Sequence, residues 1–179
     1  QGLVPCHAVA GAEKARAYLL DEGWGTDFAD RQVVVFHDDD LSRACGDERK
    51  ISDCTYGELR ELKLFGTEEK IPLFSEVLRL YNGAGPMIIE VKSGKRNAEL
   101  CQKVCDELEN YKGKICIESF DPRVVRWFKK HRPRMVRGQL CQRPEHYTAY
   151  PKLLGWALGN CALNFLGRPH FIAYRIEER

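Results

Sequence analysis

Residues 32–36 read Q-V-V-V-F and run directly into H-D-D-D at positions 37–40. An unbroken β-branched and aromatic run of this length is typical of a strand buried on both faces, as in a parallel sheet. The pattern recurs as P-M-I-I-E-V at positions 86–91 and as K-I-C-I-E at positions 114–118. Three such runs predict a sheet that is covered by helices on its faces.

Helix signals alternate with these strands. Thr55 and Glu58 form a capping box that opens a helix, and Asp121 with Pro122 supplies an N-cap and an N1 proline. Further helices are predicted at 12–20, 72–81, 97–111 and 150–158, and further strands at 3–6, 135–140, 162–165 and 171–174. Strands alternating with helices imply parallel pairing with right-handed crossovers. This pattern is typical of a doubly wound sheet or a TIM-type barrel, and no glycine-rich loop marks a dinucleotide-binding sheet.

Composition limits the function. The chain has 179 residues, is 44% hydrophobic and carries a formal charge of +2. These values favour one folded domain over residues 1–179 and argue against a nucleic-acid partner, which would require a larger basic excess. No apolar run is long enough for a transmembrane segment and no signal peptide is visible, so we expect a cytoplasmic protein. Its eight cysteines contain no C-x-x-C pair and are predicted to be free, mostly buried thiols.

Polar residues follow or end several predicted strands, which is where parallel α/β folds place their chemistry. His7 and His37 each follow a strand, Glu90 belongs to the strand at 86–91 with Lys92 directly after it, and Glu118 ends another strand. Carboxylates bind hard divalent cations, and histidines transfer protons near neutral pH. A metal site with a general acid and base is one interpretation. A simple Glu90–Lys92 ion pair is the other, and the aspartates at 38–40 are typical of a solvated turn.

Residues 33–46 closely resemble the V-V-x-H-D-x-x-L-x-R-x-x-G signature of the glycerophosphodiester phosphodiesterase family. Four later segments resemble that family's motifs in the same order. They are T-Y-G-E-L-R-E-L at 55–62, I-P-L-F-S-E-V-L at 71–78, I-I-E-V-K at 88–92 and E-S-F-D-P at 118–122. The resemblance extends from about residue 4 to residue 174.

This resemblance implies a TIM barrel that cleaves glycerophosphodiesters to glycerol phosphate and an alcohol. It implies two catalytic histidines, at positions matching His7 and His37, and a divalent cation, calcium or magnesium, held by carboxylates matching Asp27 and Glu90. Lys92 matches a lysine beside the metal site and is expected to bind the substrate. The implied partner is a small phosphodiester, and nothing indicates an oligomeric state.

Some positions depart from the family pattern. Ala8 stands where the family has an arginine, and Ala29 stands where it has a second metal-binding carboxylate. With only 179 residues, the expected fold is a (β/α) barrel that is incomplete or has loops missing. Besides the phosphodiesterase, two alternatives stay open: a non-catalytic binding domain on the same barrel, and a lysophospholipid-type phospholipase D.

The strand alternation also predicts where side chains point. Glu90 is expected inside the barrel, meeting His37 at the mouth formed by the carboxyl ends of the strands. The other three histidines, His131, His146 and His170, are expected to lie away from that mouth.

Overall fold

The computed structural model describes residues 13–20 and 32–175. Their backbone forms one six-stranded sheet in the order β2-β1-β3-β4-β5-β6. The pairings are parallel except for β1 with β2, which is antiparallel. The strands are β1 Glu13–Leu20, β2 Gln32–Val35, β3 Met87–Val91, β4 Ile115–Ser119, β5 Arg137–Cys141 and β6 Phe171–Tyr174.

Helices connect the strands from β2 onward. They are α1 Ser42–Cys45, α2 Tyr56–Leu59, α3 Phe74–Tyr81, α4 Asn97–Leu108, α5 Pro122–His131, α6 Lys152–Gly159 and α7 Asn164–Gly167. Two predicted caps are present: Thr55 and Glu58 form a capping box at α2, and the Asp121 side chain accepts a hydrogen bond from the Arg123 amide at α5. Short polar sequences therefore fix where these helices begin.

The main core lies between the sheet and its helices. Ile89 and Val91 of β3 are fully buried and pack in one cluster with residues of α4 and α5, such as Val104 and Phe128. Because successive strand residues point to opposite faces, Glu90 lies on the other side of β3 from this cluster. A second cluster, which includes Val34, Leu41, Ile51, Leu59 and Ile71, anchors the long connection from β2 to α3.

The four strands from β3 to β6 follow one another in chain order. Each is parallel to the previous one, as in a (β/α) barrel, and β1 lies between β2 and β3. Among the described residues, β2 and β6 are the outer strands and no hydrogen bonds join them. The expected α/β fold, an incomplete TIM-type barrel, is confirmed.

Two predicted elements are wrong. The segment predicted as a helix at 12–20 contains β1, whose backbone lies between β2 and β3 and pairs with both. Helix propensity is a weak preference, and pairing along two neighbouring strands overrides it here. The strand predicted at 162–165 is replaced by α7, since a short apolar run does not distinguish strand from helix. The strand predicted at 3–6 lies outside the described residues.

Candidate active site

A large cavity opens beside the carboxyl ends of β3 to β6. Its volume is about 1130 Å³. Three of the predicted site residues, His37, Glu90 and Lys92, line it, so the structure brings them to one place as expected. The other two, His7 and Asp27, lie outside the described residues.

Glu90 is the most deeply placed charged group of the cavity. Its side chain is 1% exposed, and Lys92 Nζ lies 3.4 Å from its Oε1. Lys92 is itself only 18% exposed, and its Nζ also lies 3.5 Å from Asp39 Oδ1. The Glu90–Lys92 ion pair left open by the sequence is therefore formed. Lys92 connects the base of the cavity to the segment that carries His37.

His37 lies at the rim, with 62% of its side chain exposed. Its Nδ1 is 2.5 Å from Asp38 Oδ1, and Arg43 Nε donates to Asp38 Oδ2 at 2.7 Å. The hydrogen bond from Arg43, supported by that from His37, lowers the pKa of Asp38 despite its partial burial. An ionised Asp38 favours the proton on Nδ1 of His37, which leaves Nε2 as the acceptor.

The three consecutive aspartates have three different roles. Asp38 orients His37, and Asp39 contacts Lys92. Asp40 accepts hydrogen bonds from the Ser42 amide and hydroxyl at the start of α1. Asp39 and Asp40 are exposed, as predicted for a solvated turn, whereas Asp38 is half-buried. The sequence contained a signal for the role of Asp38: a carboxylate that directly follows a histidine at the end of a strand.

A hydrogen-bonded row fixes the strand ends beneath the cavity. Ser119 Oγ donates to the Val91 carbonyl at 2.7 Å, which joins β4 to β3. Gln139 Nε2 donates to the carbonyls of Ser119 and Phe120, each at 3.0 Å, which joins β5 to β4. These side chains are buried or nearly so and hold the cavity floor in a defined geometry.

The far wall of the cavity is apolar. It comes from the end of β5, from the loop between β5 and α6, from α6 and from the segment around α7. Its members are Leu140, Tyr147, Leu154, Leu158, Leu163 and Leu166. The cavity therefore has a charged end at β3 and a hydrocarbon-lined end at α6 and α7.

The remaining histidines only partly follow the prediction. His146 lines the cavity, so its expected position away from the mouth is wrong. A short 3₁₀ helix after β5, Pro144–His146, brings it back over the strand ends. The prediction considered only residues directly at strand ends, whereas His146 lies in a loop. His131 stacks on Trp127 near the end of α5, and His170 Nδ1 accepts from the Arg137 amide at the start of β5. Neither lines the cavity.

Of the two predicted metal ligands, Glu90 belongs to the described residues and Asp27 does not. Glu90 supplies a buried carboxylate, a ligand type that suits a hard divalent cation. The described residues contain no group of three His, Cys, Asp or Glu side chains that could hold a metal ion. The part of the chain that the structure describes therefore supplies one predicted metal ligand, Glu90, and does not form a complete metal site.

Comparison with known families identifies the chain. Residues 29–166 match the model of the glycerophosphoryl diester phosphodiesterase family. The chain belongs to this family. The match includes the His37, Glu90 and Lys92 segments, and the family folds as a TIM barrel and is generally metal-dependent.

Two curated relatives are both named lysophospholipase D GDPD1. The rat protein, from Rattus norvegicus, is 36% identical over 95 residues, and the human protein, from Homo sapiens, is 34% identical over 94 residues. Each alignment covers 46% of this chain and 29% of the relative. The chain thus spans less than a third of the length of these relatives.

Solved structures of the family share the fold. An Oleispira antarctica phosphodiesterase in complex with the product sn-glycerol-3-phosphate gives a TM-score of 0.68 at 18% identity, covering 92% of this chain and 63% of that one. A glycerophosphodiester phosphodiesterase from Parabacteroides distasonis gives 0.62 at 21% identity, covering 94% and 72%. At these identities the likeness establishes the fold alone.

Two further expectations concern the chain as a whole. None of the helices in the described ranges has the length and apolar character needed to cross a membrane.

The seven cysteines of the described part are all free thiols, and four of them are buried. The prediction of free thiols is confirmed for these seven. Cys6 lies outside the described residues.

Proposed function

We propose that this chain is a metal-dependent phosphodiesterase that hydrolyses glycerophosphodiesters to glycerol phosphate and an alcohol. The observation that carries the proposal is the convergence of His37, Glu90 and Lys92 on one cavity in a chain of this family. The product bound to the Oleispira antarctica phosphodiesterase belongs to the same chemical class.

His37 is assigned to proton transfer. Its contact with Asp38 fixes the ring and leaves Nε2 to accept a proton from the attacking hydroxyl or to return one to the leaving alcohol. His7 is proposed as the second histidine of this exchange.

Lys92 is assigned to phosphate binding. A phosphodiester is an anion, and it approaches a cavity in which Asp39 and Glu90 are also anionic. The ammonium group of Lys92, held between these carboxylates, supplies positive charge that a phosphate oxygen can share.

Glu90 is proposed to bind a divalent cation together with Asp27, and calcium or magnesium suits such oxygen ligands. A bound cation would neutralise charge that develops on the phosphate oxygens. Glu90 itself contributes a buried carboxylate at the floor of the cavity, on the side of β3 that faces away from the main core.

The test is turnover of glycerophosphocholine by the full chain with calcium or magnesium. His37→Ala is expected to lower kcat by at least about 100-fold, since general acid–base catalysis contributes that much or more. His131→Ala is the matched control, because His131 is exposed and does not line the cavity. Wild-type turnover by His37→Ala would refute the assignment.

The apolar wall favours a second candidate, a lysophospholipase D activity. A lysophospholipid has one hydrocarbon chain, which matches the leucine-rich end of the cavity, and the two curated relatives carry this name. We expect Leu158→Asp to reduce turnover of lysophosphatidylcholine much more than that of glycerophosphocholine. Equal losses on both substrates would exclude the second candidate.

The non-catalytic alternative has its own signature. A binding domain without a competent metal site would show no rise in melting temperature with calcium or magnesium, whereas a bound cation stabilises the folded state by linkage. We expect a rise in melting temperature in the wild-type chain and a smaller rise in Glu90→Gln.

The cytoplasmic location stays a prediction from the sequence.

A further inference from the structure

Two free thiols meet at the edge of the cavity. Cys141, the last residue of β5, and Cys161, in the turn between α6 and α7, have their Sγ atoms 3.2 Å apart. They are twenty residues apart in sequence. A disulfide needs about 2.05 Å between sulfurs, so an approach of roughly 1 Å separates the thiols from a covalent bond.

The two thiols differ in access. Cys141 is 1% exposed, and its burial, with the contact to Cys161, raises its pKa to about 12. Cys161 is half-buried. A reagent from solvent therefore reaches Cys161 first, and Cys141 is placed to react only with a sulfur that is already beside it.

The turn is the part that can move. Cys141 belongs to a strand whose residues are all buried and which pairs with β4 and β6. Cys161 has a φ of +57° and is held by backbone hydrogen bonds to Leu158 and Asn164. A residue with a side chain rarely adopts this left-handed conformation, so the turn stores some strain. Bond formation would shift the turn rather than the strand.

We propose that Cys141 and Cys161 form an oxidative modification site that closes reversibly to a disulfide. The oxidant is a small-molecule disulfide such as oxidised glutathione. The Cys161 thiolate attacks one of its sulfurs, which forms a mixed disulfide and releases one glutathione thiolate. The Cys141 thiolate then attacks the Cys161 sulfur and releases the second. Two protein thiols lose two protons and two electrons, and oxidised glutathione is reduced to two glutathione molecules.

The bond would reshape the apolar wall. Cys141 lines the cavity, and so do Leu158 and Leu163, which lie on either side of Cys161 in the chain. Drawing the turn towards β5 moves both leucines with it. We therefore expect the oxidised chain to turn over lysophosphatidylcholine less well, with a smaller effect on glycerophosphocholine. This consequence rests on the proposed function, whereas the disulfide itself does not.

The test is peptide mapping by mass spectrometry of the full chain after exposure to oxidised glutathione. We expect a cross-linked peptide that joins Cys141 to Cys161, with the loss of two hydrogen atoms and reversal by dithiothreitol. Because the attacking species in both steps is a thiolate, raising the pH from 7 to 8 should speed closure.

Variants separate the two steps. Cys161→Ser should abolish the cross-link, and Cys141→Ser should stop at a glutathione adduct on Cys161. Cys45→Ser is the matched control, since Cys45 is also half-buried and should leave the cross-link unchanged. Modification of Cys45 or Cys116 without a Cys141–Cys161 bond in the wild-type chain would overturn the proposal. So would a cross-link between another pair, such as Cys101 with Cys105. These outcomes need no activity, so they are independent of the phosphodiesterase assignment.

Discussion

Lys92 Nζ lies 3.4 Å from Glu90 Oε1, and both side chains are largely removed from water. Glu90 is the more buried of the two, and Lys92 also has Asp39 within reach. The pair is therefore asymmetric. Removing the cation leaves a carboxylate inside the sheet with less compensation, whereas removing the carboxylate leaves an ammonium group that still contacts Asp39.

This asymmetry predicts unequal costs for two substitutions. Lys92→Met should lower the free energy of unfolding by about 3 kcal/mol, the low end of the range for breaking a buried pair. Glu90→Gln should cost less, because its amide keeps the shape and its partner is nearer to solvent. Urea denaturation at neutral pH without divalent cations measures both. If Glu90→Gln is the more destabilising variant, the ion pair is not the main compensation for Glu90.

The contact between Asp38 and His37 predicts a catalytic effect. Asp38→Asn should reduce kcat on glycerophosphocholine about 10- to 100-fold, the usual cost of losing a group that orients a functional histidine. KM should change little, since Asp38 acts on His37 and not on the substrate. Asp40→Asn is the control, because the Asp40 side chain accepts hydrogen bonds from Ser42 and does not contact the His37 ring. Equal losses of kcat in both variants would mean that the substitutions disturb the conformation of the loop, and not the contact between Asp38 and His37.

Asp121 predicts an acid-sensitive contribution to stability. Burial raises its pKa, but the hydrogen bonds from Arg123 and Asn97 outweigh burial and leave the pKa below its ordinary value. A depressed folded-state pKa stabilises the protein above the unfolded value of about 3.9, and this contribution is lost as the pH falls through the folded pKa.

Asp121→Asn isolates that effect, because asparagine caps helices about as well as aspartate. The free energies of unfolding of wild type and variant should differ at pH 6 and converge as the pH falls below about 4. Chemical denaturation at several pH values gives the two curves. Parallel curves over this range would contradict the assignment.

Gly138 predicts a packing limit between β5 and β6. A Cβ built there would lie 2.2 Å from the Phe171 ring. Gly138→Ala should therefore cost about 1–3 kcal/mol by overpacking. Gly94→Ala is the control, because nothing lies within 4 Å of a Cβ at that position. The shift in urea midpoint between the two variants is the measurement, and an unchanged midpoint for Gly138→Ala would mean that Phe171 rotates away freely.

Local sequence determined much of the scaffold. The β-branched apolar runs that became β2, β3 and β4 predicted strands of a covered sheet, because residues of this type favour strands and need burial. The caps at Thr55 and Asp121 fixed helix starts through bonds within a few residues. Successive side chains of a strand point to opposite faces of the sheet. In β3 this places Glu90 on the face away from Ile89 and Val91, so the sequence alone predicted the orientation of one cavity residue.

The tertiary structure decided the rest, because those features depend on residues far apart in the chain. Residues 13–20 are a strand since β2 and β3 flank them, and no local propensity encodes that. The approach of Cys141 to Cys161 and the return of His146 to the cavity accompany the packing of α6 against the 3₁₀ helix Pro144–His146 that follows β5. Propensity and periodicity act over a few residues, whereas these contacts form only when the sheet brings its strand ends to one edge.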